Sequence, residues 1–205
     1  MKTIILFSLA LIFTAYSAPA PAPVLDIDGN YLRTGALYYI MPAARDGEDG
    51  GLYVTDYWLH CPAGVAQSRS DETGLSLSFG PVNPKKGVIR LSTDVNIKFS
   101  GSNKCNESNV WRVKYDKGMK QYAVMVGGVE GNPGPKTLKS WFKIEKTNDG
   151  YKFVFCPSVC SYCEVRCRDV GIAIDEGGAK RLVLGDGPSS FVFFRANSSP
   201  SFSIP

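Results

Sequence analysis

Apolar positions along the chain come in short runs separated by turn residues, and no stretch repeats at the 3.6-residue period of a helix. The runs cover 37–41, 52–59, 75–79, 88–91, 95–99, 110–115, 122–126, 141–144, 151–156, 171–174, 182–184 and 191–194. They are rich in Val, Ile, Tyr and Phe, and Gly, Pro, Asn and Asp punctuate them, drawing on 21 Gly and 13 Pro. Branched and aromatic side chains in short runs bounded by turn formers predict strands, and a dozen of them predict an all-β sheet that closes on itself as a barrel or sandwich.

The first apolar run is of another kind. Met1-Lys2 precedes an apolar stretch from Ile4 to Phe13 broken only by Ser8, and Ala15-Tyr16-Ser17 follows with small residues. That order is a secretory signal over 1–17, and at about ten residues its apolar core is too short to span a bilayer. No later run approaches the length of a membrane span, so no membrane partner is expected. Residues 18–23, Ala-Pro-Ala-Pro-Ala-Pro, read as an extended leader, because alternate prolines cannot donate a ladder. The domain is predicted over 24–197, one unit with a core of its own, followed by a tail over 198–205.

Four of the six cysteines fall in Cys156-Pro-Ser-Val-Cys160-Ser-Tyr-Cys163-Glu-Val-Arg-Cys167. Facing residues of one antiparallel ladder have a constant position sum, and Cys156 with Cys167 and Cys160 with Cys163 satisfy the same sum. Two nested disulfides across a hairpin follow, with Ser161-Tyr162 as its turn. A four-thiolate zinc site is the alternative, but it needs a reducing compartment, which a secretory signal argues against. Nested pairing leaves Cys61 for Cys105, and no odd thiol remains to join two chains.

The formal charge is +4 and the basic residues are scattered, so the concentrated basic face that nucleic acid requires is missing from the sequence. His60 is the only histidine, beside Cys61 in a strand-like run and without a Gly-x-Ser-x-Gly elbow, so no catalytic constellation or cofactor is expected. Trp58, Trp111 and Trp141 lie in apolar runs and are assigned to the core. The Gly-rich loops 46–51, 127–135 and 175–178 lack the ligand spacing of a calcium loop and the strand-helix context of a dinucleotide loop, which leaves them as turns. Asn106-Glu-Ser108 and Asn197-Ser-Ser199 are glycan acceptor sequons suited to surface positions.

Val24-Leu-Asp-Ile-Asp-Gly-Asn-Tyr-Leu32, with Tyr38-Tyr39-Ile40 after it, resembles the N-terminal signature of the Kunitz-type (soybean trypsin inhibitor) family of plant protease inhibitors. The likeness continues through Pro84-Lys-Lys-Gly-Val-Ile-Arg90, Ser92-Thr-Asp94, Gly127 to Pro135, Ser140-Trp-Phe-Lys-Ile-Glu145 and the clustered cysteines, as in the miraculin-like branch. The resemblance implies a disulfide-stabilised β-trefoil, with twelve strands in three pseudo-repeats making a six-stranded barrel capped by three hairpins. A strand ending in Cys-Pro, at Cys61-Pro62 and Cys156-Pro157, is the only repeat echo in the sequence. The same three disulfides are implied. So is a monomer, since Thr147-Asn-Asp-Gly150 stands where miraculin-like relatives can carry an interchain cysteine.

The resemblance also implies a function. Inhibitors of this family offer a protease a rigid substrate-like loop, and that loop corresponds to 80–87, with Pro84, Lys85, Lys86 and Gly87 at its contact point. Lys85 takes the position of the scissile basic residue and Lys86 is the fallback, which makes a trypsin-like serine protease the expected partner. Pro84 fixes its own φ and biases Asn83 to extended geometry, so the residues before Lys85 are expected in a substrate-like shape. Thr34 stands where inhibitory relatives have an asparagine that braces the loop from inside, and it offers one short hydroxyl instead of an amide. Two other classes remain open: a non-inhibitory defence or storage protein, and a carbohydrate-binding trefoil. The expected destination is extracellular, in the apoplast, with the vacuole as the alternative.

Overall fold

The computed structural model describes residues 19–44, 49–55, 61–69, 72–185 and 187–196. The signal segment 1–17, the tail 198–205, the sequon at Asn197 and the side chains of Trp58 and His60 lie outside the described residues. Within them are β1 (Tyr38–Pro42), β2 (Leu52–Val54), β3 (Val65–Gln67), β4 (Leu77–Pro81), β5 (Val95–Phe99) and β6 (Arg112–Asp116). The second half of the chain adds β7 (Gln121–Met125), β8 (Lys143–Lys146), β9 (Tyr151–Phe155), β10 (Arg168–Ile174), β11 (Lys180–Gly185) and β12 (Phe191–Arg195).

Six of these close a barrel. β1 pairs β4, β4 pairs β5, β8 pairs β9, β9 pairs β12 and β12 pairs β1, all antiparallel. The remaining seam is the two-way bridge between Val95 and Phe142 at the heads of β5 and β8 (2.8 and 3.0 Å). The other six form hairpins β2–β3, β6–β7 and β10–β11, which join one another through β3–β11, β7–β11 and the Gly64–Met125 bridge. A closed six-stranded barrel capped by three mutually paired hairpins is a β-trefoil, and its pseudo-repeats begin at β1, β5 and β9.

Alternation explains the closure. Tyr38 and Ile40, Leu77 and Phe79, Tyr151 and Phe153, and Phe191 and Phe193 are buried, while the residues between them are half-buried. These inward rows meet in an aromatic core in which Trp111 packs edge-on against Phe142 and Phe153 (5.9 and 5.4 Å between centroids). Trp111 and Trp141 are both fully buried, as the sequence predicts. Each such side chain contributes on the order of 1.5–3 kcal/mol by leaving water.

Departures from the sequence reading have local causes. The run 88–91 makes no ladder; it lies between two irregular segments, with bridges Arg33–Val88 and Pro23–Arg90 and bonds from Val24 to Ile89 and from Ile89 to Leu32 (both 2.9 Å). Its place in the strand count is taken by β3, three residues long, which followed too close on Gly64 to stand out. The described part of the leader, residues 19–23, is not free, since Ala22 accepts from Leu91 (2.9 Å) and Pro21 from the Arg90 guanidinium (2.7 Å). Proline carbonyls can accept even where the nitrogen cannot donate. The Cys-Pro echo is not a repeat: Cys61-Pro62 lies between β2 and β3, whereas Cys156-Pro157 follows β9. Of the described Gly-rich loops, 175–178 is a turn, while 127–135 is an irregular loop with bends at Gly131 and Gly134.

All six cysteines are paired, Cys61 with Cys105, Cys156 with Cys167 and Cys160 with Cys163, at Cα separations of 5.6, 4.5 and 5.5 Å. β9 and β10 pair Phe155 with Arg168 and Val154 with Asp169, and the same register continued one step brings Cys156 opposite Cys167. Beyond that pair the segment leaves the ladder, with a turn at Ser161-Tyr162.

Candidate functional site

The β4–β5 ladder ends at the pair Pro81–Val95, and the chain between them bulges from the barrel as residues 82–94. Two bonds pin the tip of this bulge. On one side the Val82 N–H donates to the Asp94 carbonyl (2.8 Å). On the other the Thr34 N–H donates to the Gly87 carbonyl (3.2 Å), beside the Arg33–Val88 bridge. Val82, Asn83, Pro84 and Lys85 between these anchors are all exposed. Lys85 makes no ion pair or hydrogen bond with the described residues, and the loop presents its ammonium at the crest.

The backbone of the crest corrects one expectation. Asn83 is extended (φ −113°, ψ 91°), as the proline after it requires, but Pro84–Lys86 close a single 3-10 turn instead of continuing extended. Gly87 ends the turn in the left-handed region (φ 62°), and its N–H reaches back to the Pro84 carbonyl at 3.4 Å. The signal was present in Pro84-Lys-Lys-Gly87: proline at the first helical position and glycine just past the last is the asymmetric signature of a helical turn. The backbone of Lys86 belongs to this turn, and its side chain lies outside the described structure.

Thr34 stands next to the loop, and its hydrogen bond to it is made by its backbone N–H. Its side chain is exposed and its hydroxyl makes no hydrogen bond with the described residues. A contact on the opposite side was not anticipated. Asp94, only 6% exposed, accepts the Ser158 N–H on both carboxylate oxygens (3.1 Å each) while its carbonyl holds Val82. Ser158 sits inside the loop closed by Cys156 and Cys167. No sequence spacing connects positions 94 and 158; they meet because β5 and β8 share a barrel seam.

Away from this loop, Asn106 lies exposed in the left-handed region (φ 50°) just after Cys105, with Ser108 exposed beside it, so the sequon is accessible. A cavity of 690 Å³ opens between Cys61–Gly64, the β6–β7 turn and the β10–β11 turn. Arg181 lies in its wall, nearly buried, between Asp116 and Asp175 (3.5 and 3.6 Å), two carboxylates that neutralise it. A Cβ on Gly64 would fall within 2.5 Å of the guanidinium, which accounts for the glycine.

A family model described as trypsin and protease inhibitor, of the legume Kunitz type, matches residues 24–195. The chain is 51% identical over 184 residues to miraculin of Synsepalum dulcificum, covering 85% of this chain and 83% of miraculin. It is 43% identical over 180 residues to Kunitz trypsin inhibitor 5 of Arabidopsis thaliana, covering 86% and 87%. Among solved structures it superposes on a Kunitz-type cysteine protease inhibitor from potato with a TM-score of 0.74 and 31% identity, over 87% of this chain and all of the other.

Proposed function

Because the chain belongs to the Kunitz-type family of trypsin and protease inhibitors, we propose that it is a secreted plant defence inhibitor of trypsin-like serine proteases, with Lys85 as the residue that enters the specificity pocket. The observation that carries this reading is the exposed Lys85, unpaired among the described residues, on a loop anchored on both sides, by Val82 to Asp94 at the foot of β5 and by Gly87 to Thr34 ahead of β1. A trypsin-like pocket ends in a buried carboxylate, which selects a long cationic side chain. An anchored loop loses little freedom on docking, and if it is cut its ends stay in place to be rejoined.

The 3-10 turn sets the strength. Substrate-like docking needs an extended backbone through the scissile bond, so the turn must open and give up its long Gly87–Pro84 bond, worth about 1 kcal/mol or less. With no side-chain brace from Thr34, inhibition should be weak to moderate. Titration of trypsin activity with wild type, Lys85→Ala, Lys86→Ala and Thr34→Asn tests this. Lys85→Ala should abolish inhibition, Lys86→Ala should leave most of it, and Thr34→Asn should tighten it by placing an amide donor beside the Gly87 carbonyl. Equal inhibition by Lys85→Ala would remove Lys85 from the role.

A second reading is a non-inhibitory defence or storage protein. It is favoured by the closed turn at Pro84–Lys86 and by a Thr34 hydroxyl that makes no hydrogen bond with the described residues, and absence of trypsin inhibition at micromolar concentration would select it. Secretion belongs to the same proposal and is checked by sequencing the N-terminus of protein recovered from the medium, which should begin at Ala18.

A further inference from the structure

We infer that Asp94 is a positioning residue for the Lys85 loop, and that it transmits to that loop the rigidity of the doubly bridged segment 156–167. This rests on the proposed inhibitory role only for its consequence, since the coupling itself is a property of the fold. A buried carboxylate is costly unless it is paired or hydrogen-bonded. Asp94 has no salt-bridge partner among the described residues, and its side chain is held by a single backbone N–H, that of Ser158, shared between both oxygens at 3.1 Å. The same residue's carbonyl receives the Val82 N–H at 2.8 Å, the last hydrogen bond before the chain leaves the barrel toward Lys85.

Ser158 is itself fixed. The Cys156–Cys167 bridge closes its loop at the end of the β9–β10 ladder, and the Ser158 hydroxyl accepts from the Lys143 ammonium on β8. A continuous path of one disulfide and two hydrogen bonds therefore runs from the bridged segment through Asp94 to Val82. It enters the candidate loop on the side opposite Thr34. The two anchors differ in kind: Thr34 holds Gly87 by its backbone N–H alone, whereas Asp94 holds Val82 by its backbone carbonyl and is itself held through its carboxylate by Ser158.

Amide hydrogen exchange resolved by residue tests this whether or not the protein inhibits trypsin, because exchange reports local opening directly. In Asp94→Ala the Val82 amide should exchange about tenfold or more faster than in wild type, while the barrel amide of Trp111, bonded to Ile97 at 2.8 Å, stays within about twofold. Asp94→Asn, which keeps one carbonyl acceptor of the same shape, should fall between them. If Asp94→Ala does not fold, Asp94→Asn decides on the ratio of Val82 to Trp111 exchange. Trypsin cleavage after Lys85 should accelerate in the same order, and where wild type inhibits, the inhibition constant should rise in the same order with the Lys85 side chain untouched. Unchanged Val82 exchange in a folded variant, or equal acceleration at Val82 and Trp111, would overturn the positioning role. A wild type that fails to inhibit while Val82 still responds would reject the inhibitory reading and leave this one standing.

Discussion

At the scale of single residues, the sequence marks glycine as a turn former but does not say which glycines are irreplaceable. A Cβ on Gly128 would lie 2.5 Å from the Trp111 carbonyl and 2.9 Å from the Ser140 hydroxyl, inside the packed base of its loop. Gly87 has open space around it and needs only its positive φ. Gly128→Ala should therefore cost roughly 1–3 kcal/mol by overpacking, and Gly87→Ala about 1 kcal/mol through backbone strain, both readable from urea denaturation. Lys152 is a residue whose role was hidden by its place in an ordinary strand run. Its ammonium binds both oxygens of Asp169 (2.9 and 3.1 Å) and approaches Glu145 at 3.7 Å, joining β8, β9 and β10. The hydrogen bond to Asp169 raises its pKa above the usual lysine value of 10.5. Because the folded state favours the charged form, this stabilisation is fully present below that value and is lost as pH rises through the raised one. Thermal melts of wild type and Lys152→Met should differ at pH 7–9, by up to about 1 kcal/mol for a pair this close to solvent, and converge once the pH has risen through the raised pKa. A gap that stays constant to high pH would assign the effect to packing of the lysine stem.

At the scale of elements, what was legible depended on whether a neighbour in sequence was also a neighbour in space. The β9–β10 register could be read from four cysteine positions because a hairpin puts its partners close along the chain, and the ladder obeys the register those positions set. The run 88–91 forms no strand for the converse reason: its partners are Pro23 and Arg33, far upstream, and neither segment is regular enough for a ladder. The crest at Pro84–Lys86 is a third case, in which local chemistry is sufficient: the proline that extends Asn83 also opens the turn that Gly87 closes. The disulfides divide along the same line. Cys61–Cys105 spans a sequence separation of 44, and Cys160–Cys163 a separation of 3. Constraint of the unfolded chain grows with loop length, so replacing the first pair by serine should cost about 4 kcal/mol and replacing the second distinctly less. Equal costs in urea denaturation would mean that Cys160–Cys163 acts on the folded loop instead, through the path from Ser158 to Asp94.

At the scale of the whole molecule, the number and spacing of the runs foretold a closed all-β fold, but the threefold arrangement left no trace in the residues. The three repeats share a backbone path while their inward positions hold varied apolar side chains, Tyr38 and Ile40 in β1, Val95 and Ile97 in β5, and Tyr151 and Phe153 in β9, because the barrel asks only for buried apolar volume at alternate positions. Closure is the most long-range feature of all: β12 pairs with β1 over Tyr38–Arg195 to Pro42–Phe191, and Phe191 also faces Tyr151 on β9. β12 carries Phe191 and Phe193 into the core, where Phe193 lies 5.5 Å from Phe79, 5.4 Å from Tyr151 and 6.2 Å from Phe153. Removing either ring should cost about 3–5 kcal/mol, and a domain's whole stability is about 5–15 kcal/mol. Phe193→Ala should thus remain folded with a lowered urea midpoint. A chain ending at Gly187 loses both rings together with the ladders that close the barrel on each side, and it should show neither a cooperative urea transition nor the near-ultraviolet signal of packed aromatics. A cooperative transition in that truncated chain would mean that β1 and β9 can close the barrel without β12, and that the hairpin caps, not the seam between first and last strands, hold the trefoil together.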